Sequence, residues 1–409
     1  MKQNWEVKKL ESICKVFADG DWIESKDQSN EGIRLVQTGN IGFGFFKDKD
    51  DKARYISEET FKRLNCTEIL PGDLLVSRLP DPVGKSCIIP DINTKMITGV
   101  DCTIIRPNEN LLSEYLCYYQ QSNDYLNDVL KGVSGATRQR ISRKNLGLIE
   151  IPLPPIQEQQ RIVAILDEAF TAIDKAKANT EQNLKNAKEL FESELQRIFS
   201  EKRKDYEEKT LGEILDFFNG FAFKSKDAIE NSNTQLVRMG NLYQNELNLE
   251  RRAVYYPDEF AKSFSKYLLK PNDLIISLTG TTGKEDFGYT VKIPENDYNL
   301  LLNQRIAKIC IKNENETDKD YLLHFLLSRI FLDKLYKTAN GTRQANLSTE
   351  TMKSMLINVP DFIKQKTIVS KLDALREQTK KLEAVYTKKL LDLEELKKSV
   401  LQKAFSGEL

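Results

Sequence analysis

Two stretches of this chain end like a phosphate-binding loop, Gly84-Lys85-Ser86 and Gly283-Lys284. Such a loop needs another glycine five residues before the Gly-Lys pair, so that backbone N–H groups can wrap the phosphates. Leu79 and Leu278 stand there instead, which removes that chemistry. Transfer of a methyl group to an amino nitrogen would need a polar residue, two prolines and an aromatic in succession, together with a glycine-rich cofactor loop. Leu153-Pro154-Pro155-Ile156 lacks both the polar and the aromatic end. The single histidine, His324, lies in an apolar helical run (Tyr321, Leu322, Leu323, Phe325, Leu326) and reads as a structural residue. Histidine triads and histidine-rich metal sites therefore fall away. Pro90-Asp91 followed by Lys95 lacks the second carboxylate of a nuclease metal site and reads as a turn. The six cysteines, at 14, 66, 87, 102, 117 and 310, form no Cys-x-x-Cys pair and fit buried thiols in a reducing cytoplasm.

What remains is a set of polar loops, each present twice. Ser77-Arg78-Leu79-Pro80-Asp81-Pro82-Val83-Gly84-Lys85 is matched by Ser277-Leu278-Thr279-Gly280-Thr281-Thr282-Gly283-Lys284. Hydroxyls, glycines and one shared lysine suit close approach to a phosphate backbone, and the residues that differ could read base edges. A purely structural turn explains the same residues, and both readings stand. Ser134-Gly135-Ala136-Thr137-Arg138-Gln139-Arg140 is matched by Asn340-Gly341-Thr342-Arg343-Gln344. Arg and Gln suit guanine and adenine in the major groove, yet Thr-Arg-Gln is the same in both copies, where base readers ought to diverge, so the structural reading leads. A third pair, Arg34-Leu35-Val36-Gln37-Thr38-Gly39-Asn40 and Arg238-Met239-Gly240-Asn241, could place polar side chains on the same surface.

These loops belong to a repeat that spans the chain. Residues 1–200 and 206–409 are two copies of one pattern, with Pro71-Gly72-Asp73-Leu74-Leu75-Val76-Ser77 returning as Pro271-Asn272-Asp273-Leu274-Ile275-Ile276-Ser277. Each copy opens with short β-like runs and helical stretches at Ser113–Lys131 and Asp318–Lys337, an α+β globule. Each closes with a long helix that starts after a proline boundary. Apolar residues recur every three or four positions at Ile162, Leu166, Ala169, Ile173 and Leu190, and again at Ile368, Leu372, Leu375, Leu382, Leu393 and Leu396. Sustained over four or five heptads, that is a coiled-coil seam, and each helix would reach about 60 Å at ~1.5 Å per residue. The alternative is two helices each packed on its own globule. Matching seams and the lack of a third long helix favour the pair. The Glu201–Lys209 run between the copies is mixed in charge and reads as a solvated linker, with a nucleic-acid patch as the other reading.

Composition sets the outer limits. A length of 409 residues, 30% charged and 40% hydrophobic, allows two to three domains. No run of eighteen apolar residues and no apolar leader after Met1 predict a protein without a membrane span or signal peptide. Zero net charge argues against indiscriminate coating of nucleic acid by the whole chain.

Four stretches together resemble the specificity subunit of type I restriction-modification enzymes, over essentially the whole chain. They are Pro71–Ser77, the Gly135–Ser142 run, Ile151-Pro-Leu-Pro-Pro-Ile-Gln-Glu-Gln-Gln-Arg-Ile-Val163, and the terminal Leu401-Gln-Lys-Ala-Phe-Ser-Gly-Glu-Leu409. The resemblance implies an α+β fold of two pseudo-twofold repeats. Target-recognition domains would occupy 1–155 and 201–361, and spacer helices 156–200 and 362–409 would pack as an antiparallel coiled coil. It implies a non-catalytic, cytoplasmic subunit of an adenine-N6 methyltransferase and endonuclease complex. Each recognition domain would read one half of a bipartite double-stranded DNA site, while the helices set the gap. Two modification subunits, carrying the S-adenosylmethionine, would dock on the helices, and restriction subunits on that core. The chain itself would hold no cofactor and no metal.

Candidate DNA-contacting residues are then Arg34, Gln37, Thr38, Asn40, Ser77, Arg78, Asp81, Lys85, Arg138 and Arg140 in the first copy. In the second they are Arg238, Asn241, Thr279, Thr281, Thr282, Lys284 and Arg343. Arg78 against Leu278 and Asp81 against Thr281 are the expected specificity differences. The second copy departs from the family pattern at Val359-Pro360-Asp361-Phe362-Ile363-Lys364-Gln365-Lys366, so the start of the second helix is expected to differ from the first. A two-headed protein-binding scaffold and an enzyme with an unrecognised site remain the alternatives.

Overall fold

The computed structural model describes residues 5–135, 139–201, 203–281, 283–338 and 344–409. The chain divides into two units, Met1–Glu181 with Lys388–Leu409, and Gln182–Thr387.

In the first unit, Leu74–Ser77 is the buried centre of an antiparallel sheet ordered Cys14–Asp19, Cys102–Pro107, Leu74–Ser77, Ser86–Ile88. The repeated Pro-Gly/Asn-Asp signal is the turn that launches this strand. Gly72 takes φ +88°, a left-handed backbone that glycine enters without strain. Asp73 accepts from Leu70 N–H at 2.8 Å and holds Arg106 on the neighbouring strand through two bonds of 2.7 and 2.8 Å. The second copy repeats this with Asn272 at φ +67°, Asp273 accepting from Lys270 N–H at 2.8 Å, and Lys308 at 2.7 Å. A second sheet runs Gln28–Ser29, Tyr55–Ile56, β1 (Ile33–Val36), β2 (Met96–Thr98), and β1 and β2 are parallel neighbours. In the second unit the matching parallel pair is β3 (Thr234–Val237) and β4 (Asn299–Leu302).

Each globule is closed by a two-stranded ladder just before its long helix, Glu6–Lys9 on Glu150–Leu153 and Glu207–Thr210 on Leu356–Val359. The helices are α1 (Ile156–Ser200) and α2 (Phe362–Ser406), of 45 residues each. Contrary to the expected difference, both begin alike. Buried Gln159 accepts from Leu112 N–H at 2.9 Å and donates to the Asn110 and Pro154 carbonyls at 2.8 Å each. Buried Gln365 accepts from Asp318 N–H at 2.8 Å and donates to the Glu316 and Pro360 carbonyls at 2.7 and 2.8 Å. The departures around Gln365 leave this clamp intact.

The helices run antiparallel within the first unit. Arg161 donates to the Leu409 carbonyl, Asp174 pairs with Lys397 at 3.6 Å, and Lys177 pairs with Glu394. Ile162, Leu166, Phe170 and Ile173 share that unit's core with Leu401, Ala404 and Phe405. Leu195, Ile198 and Phe199 share the other core with Ile368 and Leu372. Ala169, Leu375 and Leu393 are half-buried.

Leu190, Leu382 and Leu396 depart from their expected seam positions and are 48%, 39% and 47% exposed. Positions three and four along a helix fall on the same side, and a rotation of one residue decides which turns inward. Phe191 takes the place expected of Leu190, packing edge-on against His324. Lys397 takes the place expected of Leu396, its ammonium 4.4 Å from the Phe170 ring centroid. Half-buried Glu383 stands beside exposed Leu382. Two buried seam threonines, Thr180 and Thr379, return their hydroxyls to their own helix, to Ala176 O at 2.7 Å and Arg376 O at 3.1 Å.

Among the described residues, no helix is long and apolar enough to cross a membrane.

Candidate functional site

The parallel strand pairs decide where the polar loops go. β1 and β2 point the same way, so the turns leaving them, Gln37–Asn40 and Gly99–Asp101, meet at one edge. Gly20 crosses that edge so closely that a Cβ there would lie 2.4 Å from the Gly99 carbonyl oxygen. Gly220 crosses the matching edge, where a Cβ would lie 2.3 Å from the Asn303 oxygen. At each edge is a cleft.

The first cleft, about 300 Å³, is lined by Trp22, Gln37, Thr38, Val100, Asp101 and Arg140 among others. Trp22 is 70% exposed, an indole left facing solvent beside polar groups. The second cleft, about 680 Å³, is lined by Phe223, Arg238, Met239, Arg251, Arg252, Asn303, Gln304 and Arg305. Among the described residues, none of its four arginines is within ion-pair distance of a carboxylate. The Arg251 guanidinium lies 4.5 Å from the centroid of the Tyr243 ring, in cation–π range.

Both clefts rest on one turn. Buried Asn40 accepts from Gln37 N–H at 3.0 Å and donates to the Lys47 carbonyl at 3.0 Å. Buried Asn241 accepts from Arg238 N–H at 2.9 Å and donates to the Asn248 and Arg251 carbonyls at 2.9 and 3.0 Å. The repeated asparagines are therefore scaffold, and the pairs they present, Gln37-Thr38 and Arg238-Met239, are what differs.

Strand registers extend the matching around the rim. Asp101 stands where the other copy has Arg305, and Asp51 where it has Arg251, while Lys52 is matched by Arg252 and Asp50 by Glu250. On one frame, aspartate in the first copy is thus exchanged for arginine in the second at two matched positions. In the first unit the acidic loop has an internal partner. Arg34, 3% exposed, lies 3.3 Å from Asp48 and 3.5 Å from Asp50 and donates to the Tyr55 hydroxyl at 3.3 Å. Its counterpart Gln235 has no charge to give and bonds the Leu249 carbonyl instead. Arg34 therefore belongs to the interior and not to the displayed surface.

Arg78 is turned inward too. It is 4% exposed, 3.1 Å from Asp19, and donates to the Val100 carbonyl. Burial pulls its guanidinium below its ordinary pKa, and the Asp19 carboxylate opposes that. It braces the turn that carries Asp101, while Leu278 fills the same place apolarly in the other core. Buried Ser77 donates to the Leu79 carbonyl at 3.0 Å. Thr279 is buried with its hydroxyl 3.0 Å from Met239 Sδ.

Exposed Asp81 accepts at its carbonyl from Lys85 Nζ at 3.0 Å. Burial, then Lys47, hold the Lys85 ammonium below its ordinary pKa. Thr281 donates to Asp286 at 2.7 Å, and Lys284 is exposed. Arg140 lines the first cleft, 3.3 Å from Asp101. Arg138, Thr282 and Arg343 lie outside the described residues. Sequence reasoning missed Trp22, Arg251, Arg252 and Arg305. For Arg251 and Arg305 the signal was present in the repeat, where Asp51 and Asp101 align with them.

The type I restriction modification DNA specificity domain model matches the sequence twice, at residues 2–186 and 203–391. The EcoKI specificity subunit of Escherichia coli K12 is 24% identical over 92% of this chain and 82% of its own length. The MjaVIII specificity subunit of Methanocaldococcus jannaschii is 24% identical over 74% of this chain and 75% of its own. In fold, the chain resembles one from a structure reported on complex assembly and conformational transition of the type I R-M system. The TM-score is 0.79 at 18% identity, over 100% of this chain and 99% of the other. The HsdS subunit of Thermoanaerobacter tengcongensis gives a TM-score of 0.64 at 17% identity, over 100% and 98%.

Proposed function

The chain belongs to the type I restriction modification DNA specificity family, and we propose that each of its two clefts reads one half of a bipartite site on double-stranded DNA. The observation that carries this is the contrast between them. An identical asparagine-braced turn presents Gln37-Thr38 in one and Arg238-Met239 in the other, and arginine replaces aspartate at two matched positions, Asp51/Arg251 and Asp101/Arg305. A frame repeated with divergent display suits two different short sequences read by one chain. Coupling both on one molecule makes the second contact intramolecular, so a duplex bearing both halves at the right gap outcompetes either half alone.

Helices α1 and α2 set that gap and dock two modification subunits. Large apolar side chains left open on α2 support docking: Ile363, Leu382 and Val385 in one unit, Leu391 and Leu396 in the other. Methyl transfer from S-adenosylmethionine to adenine and strand cleavage by restriction subunits belong to those partners. The chain works in the cytoplasm with them.

The test is co-expression with its modification subunit, followed by selection of bound duplexes from a random library at near-physiological salt. Two short half-sites with a constant gap are expected. No enrichment by an intact complex would refute the reading.

A further inference from the structure

We propose that Arg238 reads a guanine in the half-site of the second unit, at the position where the first unit uses Gln37. The inference rests on the DNA-reading role proposed above. Two of the charge differences between the copies have an internal explanation. Arg34 is paired with Asp48 and Asp50 inside its own unit, and the uncharged Gln235 replaces it in the other copy. Asp101 is likewise matched to Arg140. Gln37 against Arg238 has no such compensation, because the glycine and the bracing asparagine beside each are the same. A residue that only held phosphate could be the same in both units, since both would meet the same backbone. A residue that reads bases must differ.

The two side chains found there are those that make paired hydrogen bonds to bases. Arg addresses guanine O6 and N7, and Gln addresses adenine N6 and N7. Arg238 is also positioned in advance. Its backbone N–H is bound by Asn241 and its guanidinium donates to the Arg252 carbonyl, which leaves four of its five N–H donors for a ligand. Arg251, Arg252 and Arg305 line the same cleft and supply positive charge for the flanking phosphates.

The experiment uses the complex with the modification subunit and the bipartite duplex it selects. Each guanine in turn is replaced by 7-deazaguanine, which lacks the N7 acceptor. For the unsubstituted chain, one guanine of one half-site should weaken binding about five- to tenfold on substitution. With Arg238→Gln, the residue the other copy carries on the same turn, that sensitivity should vanish while the other half-site and the gap stay unchanged. A selected motif in which no guanine is sensitive, or equal sensitivity in both proteins, would overturn the assignment. Failure of the unsubstituted complex to select any bipartite motif would instead sink the DNA-reading role on which it rests.

Discussion

The Arg78 guanidinium lies 3.1 Å from the Asp19 carboxylate, and the other copy of the repeat replaces both residues together, with Leu278 and Asn219. The pair has been exchanged as a unit, as expected when a buried charge cannot outlast its partner. Arg78→Leu alone should cost about 2–3 kcal/mol, below the usual cost of breaking a buried pair because Asp19 is partly solvated. Adding Asp19→Asn should recover part of that loss. Urea unfolding of the four variants reads the coupling, and strictly additive costs would contradict it.

Gln159 and Gln365 make equivalent predictions in the two units. Each alanine variant removes three hydrogen bonds of a buried side chain and leaves a half-buried backbone N–H without its partner, for a loss of about 2–3 kcal/mol. Amide exchange should accelerate at Leu112 in the first variant and at Asp318 in the second. Unchanged protection at both would contradict the clamp.

The arginines of the second cleft predict where the salt dependence of DNA binding resides. Arg251→Ala with Arg252→Ala should lower the slope of log affinity against log salt by about 0.9 for each phosphate no longer neutralised. Removing acidic charge from the first unit, by Asp50→Ala with Asp51→Ala, should not lower it. Binding at a series of salt concentrations distinguishes the two, and equal slopes in all three proteins would count against the basic cleft.

His324 gives a pH dependence. Burial lowers its pKa, Asp373 at 3.0 Å opposes this, and the net effect holds the folded ring neutral. The unfolded chain therefore takes up a proton near pH 6.5 that the folded chain does not, so stability should fall as the pH drops below about 6.5. His324→Phe should flatten the change in thermal midpoint between about pH 7 and pH 5.5. The same slope in both proteins would contradict it.

The repeat made the frame legible. Pro71–Ser77 and the proline boundaries before the long helices could be located from paired residues alone, because turns depend on local residue type, whereas Asn40 and Asn241, expected to contact DNA, are bracing residues. Burial of the arginines was not legible. Arg34 finds Asp48 and Asp50 only after the chain turns back on itself, and Arg78 finds Asp19 across a sheet. The cleft rims were hidden for a similar reason. Gln37, Val100 and Arg140 are far apart in sequence and meet through the parallel pairing of β1 and β2 and the return of the strand at Arg140. The helical seam was read one residue out of phase at Leu190, since period alone does not say which of two adjacent positions turns inward.

The most direct test of two clefts reading two half-sites alters the first cleft alone. Gln37→Ala with Thr38→Ala leaves the bracing Asn40 in place, and the variant complex is put through duplex selection beside the unsubstituted one. One half-site should lose sequence preference while the other half-site and the gap between them are retained. Equal loss at both half-sites, or no change at either, would contradict the account.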